Sequence, residues 1–207
     1  MDTRWKHPFT CMVAGPTSCG KTEFVSRLLR HAQEKIDPPP DKVLWFYGEW
    51  QDAYAKLKDE LQVEFIEGLP DPNMLDPQHR NLAVVDDLLS ETDARVTKLF
   101  TKGSHHRNTS VIFISQNLFD KNRENRTISL NSHYIVLFKS PRDVQQVETL
   151  ARQMYPGNSQ FMREAFADAT REPYSYLLID LKPNTPDELR LRSQIFPGEL
   201  ETVYIKR

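Results

Sequence analysis

Gly15-Pro16-Thr17-Ser18-Cys19-Gly20-Lys21-Thr22 satisfies the pattern G-x-x-x-x-G-K-[ST] at every position. That spacing carries a specific chemistry. Successive backbone N–H groups of such a loop curl around a polyphosphate, and glycine permits the close approach and unusual dihedrals this requires. Lys21 is placed to reach the β- and γ-phosphates of a nucleotide, and the Thr22 hydroxyl to ligate Mg²⁺. A helix beginning near Gly20 adds its positive end to the same site. The competing reading is a chance match in a turn. With 7 glycines in the chain such a match is rare, and an apolar run before the loop and a helical pattern after it favour the phosphate site. Cys19 sits inside the loop, where a helix N-terminus lowers a thiol pKa; a small filler residue is the plainer reading.

Two further elements complete a hydrolytic set. Leu82-Ala83-Val84-Val85 is an apolar run ending in Asp86-Asp87. A carboxylate at that strand tip, Asp86, orients Mg²⁺ through water. Asp87 then stands where a general base polarises the attacking water, with Glu91 as a substitute if the shorter Asp does not reach. The bland alternative is a pair of acids opening a loop. Gln116 follows the run Val111–Ile114, and a polar residue there hydrogen-bonds the γ-phosphate or the water and reports hydrolysis. Taken alone it is an ordinary loop residue.

Other residues offer weaker signals. Lys102-Gly103-Ser104-His105-His106-Arg107 is a basic loop. Arg107 is the first candidate for an arginine finger acting on a neighbouring subunit's nucleotide, or a phosphate contact on DNA, against a solvated turn. Lys121 to Arg126 is a second basic cluster, either a pore-facing loop or plain surface. Arg190 and Arg192 alternate with Leu189 and Leu191, which predicts one strand face meeting a phosphate, an acidic partner or ion-paired neighbours. Trp45, Phe46, Tyr47 and Trp50 read as core and its edge, with adenine stacking the lesser option. His105 and His106 read as polar loop residues.

The elements that must hold these residues follow from periodicity. Strands are expected at 9–14, 43–47, 63–66, 82–85, 111–114, 134–138, 176–181 and 189–196. Helices are expected at 22–33, about 50–61 and 91–102. Ser140-Pro141-Arg142-Asp143 predicts a further helix start, with Ser140 as N-cap, Pro141 as first helical residue and Asp143 an acid in the first turn. Its buried stripe is expected to be Val144, Val147, Leu150, Ala151 and Met154. Apolar strands alternating with amphipathic helices mean an α/β fold. Together with the G-x-x-x-x-G-K-[ST] motif, the expectation is a P-loop NTPase fold with a mainly parallel central sheet covered by helices on both faces, the C-terminal strands extending it, in one domain over residues 1–207.

Composition narrows the function classes. The chain has 207 residues, with 39% apolar and 27% charged, enough to bury a core. Lys plus Arg total 27 against 29 Asp plus Glu, a net charge of −2, which excludes a freestanding nucleic-acid coat. Any DNA contact must come from a local basic patch or a pore built by several copies. Cys11 and Cys19 are too few for a disulfide framework, and their distance from His105 and His106 fits no metal pattern. That usage suits a reducing compartment. The stretch Met1 to Pro8 lacks the apolar core of a signal peptide, and no run approaches the roughly 18 apolar residues needed to span a bilayer. The expectation is a protein neither secreted nor in the membrane.

The order GPTSCGKT, LAVVDD and VIFISQ resembles the FtsK–HerA branch of additional-strand P-loop ATPases. More narrowly, with Ser140 to Asp143, Tyr176 to Leu181 and Leu189 to Arg192, it is similar to the DNA-packaging ATPases of Polinton/Maverick elements, adintoviruses and their poxvirus and giant-virus relatives. The resemblance covers nearly the whole chain. It implies ATP and Mg²⁺ as cofactors. Lys21 and Thr22 would bind phosphate and metal, Asp86 would orient the metal, Asp87 would activate water, and Gln116 would act as sensor. It implies a homo-oligomeric ring, pentamer or hexamer, that threads double-stranded DNA into a preformed capsid at a vertex or portal protein. The setting implied is the host nucleus or a cytoplasmic virus factory, with virion association as an extension. Asp87 departs from the Glu common in the wider superfamily. The trans-acting arginine does not transfer by motif: Arg107 is the first choice, Arg190 or Arg192 the next.

Other readings are weaker. A small-molecule kinase needs an Arg-rich lid, a GTPase an Asn-Lys-x-Asp motif, and a terminase-type motor a nuclease domain; the sequence offers none of these. A DNA-remodelling ring helicase or loader is the closest enzymatic rival. A non-hydrolysing, nucleotide-gated assembly protein is the alternative from a different class.

Overall fold

Thr10–Ala14 forms a strand in which every residue is apolar or small and every one is buried. The period-two geometry of a strand sends Cys11 and Val13 into one apolar cluster and Met12 and Ala14 into the other. A continuous apolar run is therefore what a strand covered on both faces demands. The same holds for Asn81–Asp86, Thr109–Ser115 and Tyr134–Phe138, which are buried along their whole lengths. The computed structural model describes residues 2–86, 88, 94–103, 108–119 and 123–206.

In chain order the strands are β1 (Trp5–Lys6), β2 (Thr10–Ala14), β3 (Ile36–Asp37), β4 (Lys42–Tyr47), β5 (Val63–Glu67), β6 (Asn81–Asp86), β7 (Thr109–Ser115), β8 (Tyr134–Phe138), β9 (Tyr176–Asp180), β10 (Leu191–Ser193) and β11 (Thr202–Val203). Nine of them form one sheet in the order β11-β10-β9-β8-β2-β7-β6-β4-β5. The six from β8 to β5 are mutually parallel, so their C-terminal ends share one edge. β9, β10 and β11 extend the sheet antiparallel. β7 is inserted between β2, which leads into the phosphate loop, and β6, which ends in Asp86.

The helices are α1 (Lys21–Arg30), α2 (Ala32–Lys35), α3 (Asp52–Glu60), α4 (Ala94–Lys98), α5 (Arg123–Leu130), α6 (Gln145–Met154) and α7 (Ser159–Ala169). Phe24, Val25, Leu28 and Leu29 of α1 and Tyr54 and Leu57 of α3 pack on one sheet face. Val96 of α4, Ile128 of α5, Val147 and Leu150 of α6 and Met162 of α7 pack on the other. Among the described residues no helix is long and apolar enough to cross a membrane.

Three expectations are corrected. Pro141 and Arg142 lie in a turn, and α6 begins only at Gln145, after Val144, with no side-chain cap. Its start is set by the buried Gln146, whose amide Nε2 donates to Asp143 Oδ2 at 2.6 Å, so Asp143 anchors the turn instead of opening the helix. Val144 is consequently 68% exposed, and the buried residues are Gln146, Val147, Leu150 and Ala151, with Met154 only partly buried. The strand expected over 189–196 is a short 3₁₀ turn (Asp187–Leu189), a helical Arg190 and the three-residue β10, closed by Gln194 in the left-handed region at φ 54°. Arg190 and Arg192 thus share no strand face. The small strand pair β1–β3 and the edge strand β11 carry too few residues to leave a periodic signal.

Arg192 is the clearest case of a side chain whose role burial decides. Its side chain is 3% exposed; Nη1 donates to Glu201 Oε1 at 3.0 Å and to the Thr3 carbonyl at 2.9 Å, and Nη2 lies 3.7 Å from Asp180. The ion-paired sheet reading holds for it, and a donor to a neighbouring subunit it is not. Arg190 donates to Asp187 at 2.7 Å and to the carbonyls of Asp180 and Lys182. Removing one partner from a buried ion pair costs about 3–5 kcal/mol. Arg192→Ala should therefore lower unfolding free energy in urea by about 3 kcal/mol, with the m-value unchanged.

Candidate functional site

The parallel register brings three strand ends together. Ala14 pairs with Ser115, and Asp86 with Ile114, so Gly15 and Gln116 stand side by side while Asp86 is two strands from β2, about 10 Å. The Gly15 N–H donates to the Ser115 carbonyl at 3.2 Å, joining the start of the phosphate loop to the strand that carries Gln116. A Cβ at Gly15 would lie 2.7 Å from both Cys19 Sγ and Phe138 Cβ, so no larger residue fits. Ser18 (φ 62°) and Gly20 (φ 105°) are both left-handed, the conformation that turns backbone N–H groups into one concavity.

The helix register starts at the loop itself. Phe24 N–H donates to the Gly20 carbonyl at 2.9 Å, and α1 has no side-chain cap, so its first N–H groups have no intrahelical acceptor. Lys21 Nζ donates to the carbonyls of Gly15 (2.7 Å) and Pro16 (2.8 Å). A phosphate in the loop would compete with these carbonyls for the same ammonium. Thr17 and Ser18 are exposed at the rim. Partial burial raises the Cys19 thiol pKa, against opposing effects of Lys21 and of backbone N–H groups. The direction is opposite to that expected from helix position, and Cys19 Sγ fills the space a Gly15 Cβ would occupy.

Asp86 is 3% exposed and accepts a hydrogen bond from the Tyr54 hydroxyl at 2.7 Å. Tyr54 is itself fully buried on α3, inside an aromatic group with Trp45, Tyr47, Trp50 and Phe65. Those aromatics are core and core edge, as expected, and their work at the site is to fix the Tyr54 ring. Sequence reasoning missed Tyr54, although its spacing with Leu57 on an amphipathic helix was visible. Thr22 and Asp86 are hard oxygen donors, and among the described residues no cluster of three or more His, Cys, Asp or Glu forms a cage. That donor set fits Mg²⁺, which binds one or two protein oxygens and otherwise takes phosphate and water.

Gln116 is exposed at the end of β7 and shares a small crevice with Gly15, Ser140, Asp143 and Gln146. The turn after it is tightly held. Ser115 Oγ donates to the Asn117 carbonyl at 2.8 Å, and Gln146 Oε1 accepts from Leu118 N–H. Gln146 was not singled out from sequence; a lone Gln in a helix gives no signal of burial. A groove of about 820 Å³ runs along α1, bounded by Thr17, Gly20 and Lys21 of the loop, Arg27 and Arg30 of α1, Asp52 and Lys56 of α3, and Tyr174. Asp87, Glu91, His105, His106, Arg107 and Lys121 lie outside the described residues.

No family model and no curated protein sequence matches the chain. Solved structures do. The chain is similar to the genome packaging NTPase B204 from Sulfolobus turreted icosahedral virus 2, solved with ATP-gammaS, at 9% identity and a TM-score of 0.57, covering 96% of this chain and 98% of that one. This shows a fold shared from end to end. Weaker matches are the cytoplasmic domain of EssC (13% identity, TM-score 0.46, 95% of this chain and 39% of that one) and the Legionella pneumophila ATPase DotB (12%, 0.41, 81% and 54%).

Removing the Tyr54 hydroxyl takes one hydrogen-bond donor from the buried Asp86 carboxylate, at a cost of about 1–3 kcal/mol. Tyr54→Phe is expected to lower stability by that amount. In nucleotide titrations with and without Mg²⁺ it should also shrink the affinity gained from the metal, because the Asp86 carboxylate loses one of the bonds that orient it.

Proposed function

We propose that this chain is an ATP-hydrolysing motor subunit that moves double-stranded DNA into a viral or virus-like capsid. The observation that carries the reading is the alignment of the glycine-walled phosphate loop, Gln116 and Asp86 on three adjacent strand ends. The fold likeness to a genome packaging NTPase, over nearly the full length of both chains, supports the choice of motor. The narrower kinship with Polinton/Maverick and adintovirus packaging ATPases rests on the motif resemblance.

In this reading residues 1–207 act as one ATPase domain. Backbone N–H groups of residues 17–22 and the Lys21 ammonium hold the β- and γ-phosphates, and Thr22 and Asp86 hold Mg²⁺ directly and through water. Held there, Mg²⁺ would supply positive charge against the charge building on the phosphate oxygens. Water attacks the γ-phosphorus in line, the bond to the ADP oxygen breaks, and Asp87 takes the proton from the water. Gln116 senses the γ-phosphate. Arg107 of a neighbouring subunit stabilises the transition-state charge, which requires a homo-oligomeric ring. With a net charge of −2, DNA is gripped by local Lys and Arg in a pore built by several copies, the cluster from Lys121 to Arg126 among them. A capsid vertex or portal protein is the docking partner, inside the host cell.

Steady-state ATP turnover with and without linear double-stranded DNA tests this directly. Turnover is expected to rise with DNA, to vanish in Lys21→Ala, and to lose its DNA stimulation as salt increases. Stimulation that stays flat across salt overturns backbone gripping. Asp87→Asn separates a motor from a nucleotide-gated assembly protein. The motor loses turnover by a factor of about 10² or more while keeping ATP binding; unchanged turnover moves the base to Glu91.

A further inference from the structure

A nucleoside triphosphate has two ends, and the sheet order separates them. Asp86 and Gln116 end β6 and β7, on one side of β2, so the γ-phosphate and metal belong on that side. A nucleotide bound with its γ-phosphate there would direct its ribose and base toward the other side of β2, where β8 and β9 lie. On that side the chain enters β9 through a turn, Glu172-Pro173-Tyr174-Ser175, closed by Ser175 N–H donating to the Glu172 carbonyl at 3.3 Å. Tyr174 occupies the third position of this turn at φ 63°. Turns with Pro second and a left-handed third residue strongly prefer glycine there, because a bulky side chain is strained at positive φ.

The strained residue is also an exposed aromatic. Tyr174 is 73% exposed, and among the described residues no ring packs against it. Tyr176, two residues on, is buried and packs edge-on to Phe24 at 4.7 Å and against Phe138 at 5.8 Å. The core therefore has no use for the Tyr174 ring. The phosphate loop does border it: a Cβ at Gly20 would sit 3.5 Å from Tyr174 Cβ and 3.6 Å from Cδ1, and Tyr174 lines the same groove as Thr17, Gly20 and Lys21. Strain held at an exposed aromatic beside a ligand loop is the mark of a functional position.

We infer that Tyr174 is the stacking platform for the base of the nucleotide held by the phosphate loop. The inference deepens the nucleotide reading above and rests on it. An aromatic face accepts any base, so the subsite supplies affinity for a nucleoside over bare polyphosphate.

Calorimetric titration with ATP and with inorganic tripolyphosphate, both with Mg²⁺, tests this on the wild type, Tyr174→Gly, Tyr174→Phe, Trp50→Ala and Lys21→Ala. Glycine suits the left-handed φ, so Tyr174→Gly should fold with an unchanged or higher Tm. It should weaken ATP roughly tenfold or more and tripolyphosphate less than about twofold, with Tyr174→Phe near wild type for both. Equal weakening of both ligands by Tyr174→Gly overturns the inference, since the ring would then only shape the loop. So does no weakening of either, or selective loss of ATP in Trp50→Ala instead, which would put the base on the α3 side. Failure of the wild type to bind either ligand, or indifference to Lys21→Ala, overturns the nucleotide reading itself and this subsite with it.

Discussion

The close approach at Gly15 is the constraint on which the site depends. Its N–H reaches the Ser115 carbonyl, and its missing Cβ leaves room for Cys19 Sγ and Phe138. That contact fixes the loop's starting point against β7 and β8 together. Every later residue of the loop inherits its position from it, through the left-handed pair Ser18 and Gly20, to the first helical bond at Phe24. A parallel sheet suits the purpose, because it delivers the C-terminal ends of adjacent strands to one edge.

Around this constraint, buried polar side chains do the aiming. A carboxylate as enclosed as Asp86 would be costly without a donor, and the Tyr54 hydroxyl supplies one from a different helix. Gln146 performs a parallel service on the other sheet face, tying Leu118 in the turn after Gln116 to Asp143 after β8. Each is a short side-chain bridge between elements distant in sequence. Together they connect the strand ends that a nucleotide would touch to α3 on one face and α6 on the other. Movement of those helices would therefore be felt at Asp86 and in the turn after Gln116.

The extended sheet edge has a different character. β9 to β11 run antiparallel, and their buried charge, Arg192 between Asp180, Glu201 and the Thr3 carbonyl, ties the chain's beginning to its end. This is structural electrostatics. A guanidinium so enclosed has no reach beyond its own partners.

Much of this architecture is legible in the residues alone. The G-x-x-x-x-G-K-[ST] spacing picked out Gly15, Gly20, Lys21 and Thr22, because the loop geometry depends on those residue types at that fixed spacing, and local geometry is written in local sequence. The apolar runs named the central strands for the same reason: burial on both faces leaves a continuous signal. Asp86 and Gln116 were legible as strand ends. The tertiary structure alone decided what lies between elements. Tyr54 and Gln146 act across 32 and 28 residues of chain, and no periodicity records which buried polar group meets which. Arg190 and Arg192 looked alike in sequence, yet a helical turn at one and a buried pair at the other separated them. The start of α6 followed the same rule, since burying Gln146 with its partners outweighed a local capping preference. Tyr174 showed itself only through its φ and its neighbour Gly20, a contact spanning most of the chain, where packing and not sequence spacing sets the distance.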